Sequence, residues 1–346
     1  MKKHAIIPIF IPHKGCLNDC VFCNQKLITA RTADVTPLDV KNIIETHLST
    51  LENRNITTIE VAFFGGSFTG IPIDEQKSYL KVAKEYKDNS KINKIHLSTR
   101  PDYISVEILD NLKKYTVDTI ELGVQSFDDD VLIASKRGHT SSQVYKSCNL
   151  IKDYGFELGI QLMIGLPGDN KQKAIYSANE AAKIKPSIAR LYPTVVLEDT
   201  QLIEMYKTGQ YIPLSESDAI DITKEMYKIL HSAGINIMRV GLKSTDLITP
   251  ESDSGGSYHP AFRQLVEGEI AKEILIPLID EISITSKIIG NTNVLCKSNS
   301  RCFNNMIGHK GVNKKFFDNK YPHLTIFYEI DNTIKDSEYI VIKVNK

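Results

Sequence analysis

Residues 12–26 read PHKGCLNDCVFCNQK and hold three of the chain's six cysteines, Cys16, Cys20 and Cys23. Their C-x3-C-x2-C spacing gathers three thiols on one short loop. Such a set can bind zinc, for which His13 would complete a Cys3His site. It can equally bind an iron–sulfur cluster with one iron left open to a substrate or cofactor, because a 4Fe–4S cluster ordinarily takes four cysteines. The other cysteines, Cys148, Cys296 and Cys302, form no second cluster and read as packed thiols. A secreted disulfide framework would spread its cysteines along the chain, so the clustering points to a reducing, cytoplasmic compartment.

Further chemistry-bearing residues recur at the ends of short β-type runs. FFGG brings Gly65 and Gly66, which let backbone approach a ligand closely. STRPD brings Ser98 and Arg100, the latter suited to a carboxylate. ELGVQSF brings Glu121 and Gln125, whose polar groups need partners if buried. KRGHT offers Lys136 and Arg137 as cations for an anionic substrate or as a solvated loop. MIGLPGD ends a fifth run, and RLYPT places Arg190 and Tyr192 where they line a cavity or fill an interior.

The elements that must position these groups repeat with a period of roughly 30–35 residues. Strands are expected at 5–11, 57–64, 93–99, 117–124, 156–164 and 187–196, with helices between them and a last short strand at 235–241. Thr36 and Pro37 mark the first helix start. This order demands a parallel sheet with right-handed crossovers. Six units are too few for eight strands, so the expected fold is α/β, a partial (β/α)6 TIM-type barrel whose site lies at the strand C-terminal ends. The cysteine loop follows strand one and falls at that end.

The expected domains are 1–245 for the barrel, 246–290 for a loop and helical linker, and 291–346 for a small C-terminal α+β module. Lysine plus arginine balances aspartate plus glutamate at 42 each, so bulk charge announces neither nucleic acid nor membrane. The N-terminal apolar run is too short and proline-broken for a signal peptide, and no stretch approaches a membrane span. Residues 291–346 carry nine Lys/Arg against five Asp/Glu. Their strand–helix–GHKG–helix–strand order resembles a KH-type module, in which a GxxG turn clamps the nucleic-acid backbone. Gly308, His309, Lys310, Gly311, Lys314 and Lys315 are the expected RNA contacts; a plain helical hairpin is the alternative.

The cysteine spacing, on the loop after strand one of a partial barrel, resembles the radical S-adenosylmethionine (SAM) superfamily. That resemblance implies a 4Fe–4S cluster on Cys16, Cys20 and Cys23, with S-adenosyl-L-methionine on the open iron, cleaved to a 5′-deoxyadenosyl radical. It also implies adenine contact at Phe22 and SAM contacts at Gly65, Gly66, Ser98, Arg100, Glu121, Gln125 and Arg190. A flavodoxin- or ferredoxin-type donor would supply the electron. GGSFTGIP, STRPD, LGVQSFDDDV, SKRGHT and LYPTVVLEDTQLIEMYKTGQY further resemble the radical SAM part of the Elongator catalytic subunit, a tRNA wobble-uridine modifying enzyme. Two departures stand out: the first cysteine gap is shorter here, and about 100 residues after the barrel leave no room for an acetyltransferase domain. The chain therefore looks like shorter bacterial relatives, whose GGSYHPAFRQLVEGE segment (255–269) offers His259 and Arg263 as substrate groups or a lid. The leading expectation is a radical SAM enzyme acting on a tRNA base. Alternatives are a radical SAM oxidoreductase on a small molecule, resembling coproporphyrinogen oxidase, and a zinc-stabilised RNA-binding protein.

Overall fold

A computed structural model describes residues 4–11, 14–16, 20–24, 35–242, 258–286 and 292–344. His13 and residues 255–257 lie outside the described residues. The chain divides into two compact units, 1–260 and 261–346.

In the first unit, strands β1 (His4–Ile11), β2 (Thr58–Gly65), β3 (Lys94–Thr99), β4 (Thr119–Gln125), β5 (Glu157–Ile164), β6 (Ile188–Pro193) and β7 (Asn236–Val240) form one sheet in sequence order. Every neighbouring pair is parallel. The expected last short strand is thus a seventh member of the sheet. Helices α1 (Pro37–Leu51), α2 (Ile73–Asp88), α3 (Val106–Lys114), α4 (Asp129–Ala134), α5 (Ser141–Asp153), α6 (Lys171–Ile184), α7 (Gln201–Lys207) and α8 (Glu216–Ser232) make the crossovers. Thr36 caps α1 through a reciprocal capping box with Asp39, and Pro37 follows at the first helical position.

Two faces of the sheet differ in chemistry. Ile7, Val61, Ile95, Ile120, Leu122, Ile160, Leu162 and Leu191 are almost wholly buried and supply the apolar core. The opposite face carries Glu60, His96, Glu121, Gln161 and Arg190. Across it the Arg190 guanidinium on β6 lies 4.8 Å from the Phe64 ring centre on β2. In a flat sheet strands four places apart are about 19 Å distant. The contact therefore shows that the sheet curls into a partial barrel with that polar face inside.

In the second unit, α9 (Phe262–Ser286), which contains Pro277, precedes β8 (Thr292–Ser298), α10 (Phe303–Ile307), α11 (Val312–Lys320), β9 (Leu324–Ile330) and β10 (Ile340–Val344). The strand order is β10-β8-β9, with β8 parallel to β9 and antiparallel to β10. Leu275 and Ile279 of α9 share a core with Val294, Cys296, Met306, Phe317 and Ile326. Helix α9, expected as a linker, is packed onto the tail because its apolar residues have this core to bury in. Arg263 pairs along α9 with Glu267 at 2.7 Å. Burial pushes the Cys148 and Cys296 thiols up to about 12, as suits packed, unreactive side chains. No described helix is long and apolar enough to cross a membrane.

Glycine placement generates a test. A Cβ on Gly66 would lie 2.1 Å from the Lys14 carbonyl oxygen, whereas one on Gly268 in α9 would meet nothing closer than 3.7 Å. Gly66→Ala is expected to cost about 2–4 kcal/mol, lowering the calorimetric midpoint by roughly 5–10 °C. Gly268→Ala, a helix-interior change, is expected to lower it not at all. Equal midpoints for the two variants would refute the tight contact.

Candidate active site at the barrel mouth

The cysteine loop is docked backbone to backbone. Gly66 donates its N–H to the Ile11 carbonyl at 2.8 Å and Ser67 to that of Lys14 at 3.1 Å. Cβ atoms on Gly15 or Gly70 would come within 2.1 and 2.2 Å of the Ser67 and Gly15 carbonyl oxygens. Gly65 and Gly66 thus permit the close approach of β2 to the start of the cysteine loop. Cys16 Sγ lies 3.3 Å from Ser67 Oγ. The far half of the loop is pinned elsewhere. Val21 donates to the Ser135 carbonyl at 3.2 Å and accepts from Leu202 N–H at 2.7 Å, while Asn24 Nδ2 reaches the Glu198 carbonyl at 3.0 Å. Val21 is buried with Val196, Leu202, Ile203 and Tyr211, and Phe22 packs against them. Segments following β1, β2, β4 and β6 thereby meet over the C-terminal ends of the strands.

Cys20 is buried between two guanidiniums. Arg137 Nη1 is 3.1 Å and Arg100 Nη1 3.8 Å from its sulfur. Asp102 fixes Arg100 through Nε at 2.9 Å and Nη2 at 3.0 Å, and Arg100 also donates to the Arg137 carbonyl. Arg137 Nη2 donates to the Gly123 carbonyl at 2.5 Å, and its guanidinium stands 6.0 Å from the Phe22 ring centre. Of the KRGHT cations, therefore, Arg137 sits at the cysteine loop and Lys136 is exposed. Burial, then the charges of Arg137 and Arg100, push His139 down to about 3, so its imidazole is neutral.

Orphaned polar atoms lie on the same side. Ser98 Oγ and Gln125 Oε1 are buried without a hydrogen-bond partner. Gln125 has φ +70° at a register shift in β4, a conformation that favours glycine. Buried polar atoms without partners mark a place for a ligand. Cys16, Cys20 and Cys23 are thiols, in no disulfide. Among the described residues no three of His, Cys, Asp or Glu converge on a single metal ion. Three thiols with cationic neighbours and orphaned hydrogen-bonding atoms fit, in donor chemistry, an iron–sulfur cluster with a polar cofactor.

Glu121 and Arg190 stand in a chain of charges inside the barrel. His4 Nε2 is 2.8 Å from Glu60, Glu60 is 2.5 Å from His96 Nδ1, His96 Nε2 is 3.3 Å from Glu121, and Glu121 is 2.9 Å from Arg190 Nε. Gln161 donates to the other Glu121 oxygen. Both oxygens of Glu121 are therefore engaged by protein groups. Burial opposes its charge, but Arg190 and then His96 hold its pKa down to about 2. Burial likewise opposes charge on His96, yet Glu121 and Glu60 raise it to about 9. Sequence reasoning missed Glu60 and His96. The available signal was an ionisable residue at an inward position in mid-strand.

These shifts set a pH window. His96, raised above its unfolded value near 6.5, contributes stability that is complete below that value and lost as pH rises toward about 9. Glu121, depressed to about 2, contributes stability present above about 4.5 and lost as pH falls through about 2. Urea unfolding should therefore show stability declining between pH 6.5 and 9, by a few kcal/mol on the order of the shift. His96→Gln should lower stability at pH 6 and flatten that decline. An equally steep decline in the variant would sink the assignment.

The sequence model of the Radical SAM superfamily matches residues 10–181, and that of the Radical_SAM C-terminal domain matches residues 186–272. A tRNA uridine(34) acetyltransferase of Methanocaldococcus jannaschii is 32% identical over 184 residues, covering 47% of this chain and 34% of that protein. Elongator complex protein 3 of Homo sapiens is 29% identical over 199 residues, covering 51% of this chain and 36% of that protein. The chain thus spans about a third of the length of these curated relatives. Among solved structures, the archaeal Methanocaldococcus infernus Elp3 with an N-terminal deletion shares the fold at a TM-score of 0.63 and 24% identity, covering 79% of this chain and 64% of that one. Streptococcus suis SuiB shares it at 0.50 and 14% identity, covering 72% and 52%. The first model takes in the cysteine loop and β2 to β5, the second takes in β6, β7 and the start of α9, and the chain belongs to the radical SAM superfamily of enzymes.

Proposed function

We propose that the chain binds a 4Fe–4S cluster through Cys16, Cys20 and Cys23 and uses S-adenosyl-L-methionine to modify a base in tRNA. The observation that carries this reading is the burial of Cys20 between Arg137 and Arg100, with Ser98 Oγ near the end of β3 and Gln125 Oε1 at the end of β4 buried without partners. When bound, the cluster and SAM would supply a 5′-deoxyadenosyl radical, with the electron drawn from a flavodoxin- or ferredoxin-type donor. The chain's own part is positional. Arg100, whose Nε–Nη2 fork is filled by Asp102, and Arg137, tied to the Gly123 carbonyl, supply positive charge beside Cys20, Ser98 and Gln125 offer hydrogen bonds, and Phe22 offers a ring face. The docked loop holds the thiols over the barrel interior, where water is excluded and the substrate bond is oriented.

The names of the curated relatives favour tRNA, and the second unit supports it. Gly308 and Gly311 flank His309 and Lys310 between α10 and α11, with φ of +79°, +53° and +75° at Gly308, Lys310 and Gly311. A Cβ on Gly308 would lie 2.8 Å from Asn313 N, so the turn admits no side chain there. Lys310, Lys314 and Lys315 are exposed beside it. A lysine-flanked GxxG turn of this kind suits contact with an RNA backbone.

Two measurements test the reading. Anaerobically purified protein should carry about four irons and, once reduced, release 5′-deoxyadenosine from SAM; Cys20→Ala should abolish that release. One zinc per chain without iron would overturn it. Binding of tRNA should weaken steeply with salt and be lost in a Gly308→Asp, Gly311→Asp double variant. Unchanged tRNA affinity in that variant would remove the second unit from RNA recognition.

A further inference from the structure

Most of the second unit lies beyond the residues that the two family models match, which end at 272. Its three-stranded sheet has two unlike faces. Val294, Cys296, Ile326 and Val341 turn one face to the core shared with Leu275 and Phe317. Side chains alternate along a strand, so Leu295, Phe327 and Ile342 fall on the other face. The register joins these three into one row, since Leu295 pairs with Ile342 on β10 and with Phe327 on β9. Ile340 and Val344 continue the apolar surface along β10 on either side of that row. Phe327 is 45% exposed, Ile340 44% and Ile342 41%. Isolated exposed apolar residues need no explanation, but a contiguous set marks an interaction surface.

The polar residues around the row decide what covers it. On one side of Leu295 stands Lys297, paired with Glu329 of β9 at 2.9 Å. On the other side stand the uncharged Asn293 and Thr325. A two-fold axis laid along the row would turn each sheet over onto its copy with the strands reversed. Leu295, Phe327 and Ile342 would then each meet their own counterparts. Ile340 would face Val344, Lys297 would face Asn293, and Glu329 would face Thr325. Apolar meets apolar and no like charges are opposed, which is the self-complementarity that an isologous contact requires. An axis along the strands would instead set Lys297 against Lys297. Phe327 is the one ring on this face and its neighbours in the row are aliphatic, which offers RNA bases little to stack on. We propose that this face is a homodimer interface, in which two copies of the chain pack sheet on sheet about an axis along the Leu295 row. The proposal is independent of the substrate. The face measures about 24 Å by 14 Å, well below the roughly 800 Å² a side of a standard interface. The dimer is therefore reversible, with a dissociation constant on the order of 10 µM.

The test is sedimentation equilibrium of the anaerobically purified full chain, with its cluster, from about 1 to about 100 µM. The wild type is expected to pass from monomer to dimer across that range. Phe327→Glu sets a carboxylate against its own counterpart and should raise the dissociation constant at least tenfold. Ile330→Glu is the control: Ile330 is 47% exposed on the same strand but pairs with Ser298, on the opposite alternation. It should leave the constant within about twofold. Both positions are exposed, so thermal midpoints should match the wild type. A wild type that stays monomeric at about 100 µM would overturn the proposal. So would a dimer that survives Phe327→Glu, because pairing along the free edge of β10 leaves Phe327 two strands away. A monomeric wild type whose tRNA binding is weakened by Phe327→Glu would overturn it in favour of an RNA-contacting face.

Discussion

The site depends on a contact in which there is no side chain at all. Gly15, Gly66 and Gly70 bring the cysteine loop and the end of β2 together so closely that a single methyl group would overlap backbone oxygen. Strand β2 is itself fixed by eight register pairs with β1. The first cysteine is thus referenced to the sheet through main chain, whose positions vary less than those of rotatable side chains. The second is reached from the other side by Arg137, whose guanidinium is tied to the Gly123 carbonyl of β4. Cys16 and Cys20 are thus each held against a different strand, β2 and β4.

That anchoring explains why the barrel interior is able to be polar. Buried ion pairs are a weak source of net stability, because desolvation opposes the Coulomb attraction. The Glu60–His96–Glu121–Arg190 chain is therefore poorly explained as a means of holding the sheet together; the apolar outer face does that. Its effect is geometric. Each member is engaged on two sides, so removing one would strand a buried charge on the next. The chain ties β2, β3, β4 and β6 together across the inside of the barrel.

Legibility in the sequence tracked how local each feature was. The cysteine trio, the helix start at Thr36 and Pro37, and the alternating strand–helix period are set by residues within a few positions of each other, and each reads directly. Helix α9 ran past its expected limits and joined the tail, because what fixes it is a core shared with β8, α10, α11 and β9 rather than its own pattern. Glu121 and Arg190 were legible as inward-facing residues, but not as partners of each other. Their pairing spans β4 and β6, which are not neighbours in the sheet. Arg137 was ambiguous for a similar reason: Lys136 and Arg137 look alike in a polar loop, and what separates them is that Arg137 meets Cys20 and the Gly123 carbonyl, groups distant in sequence.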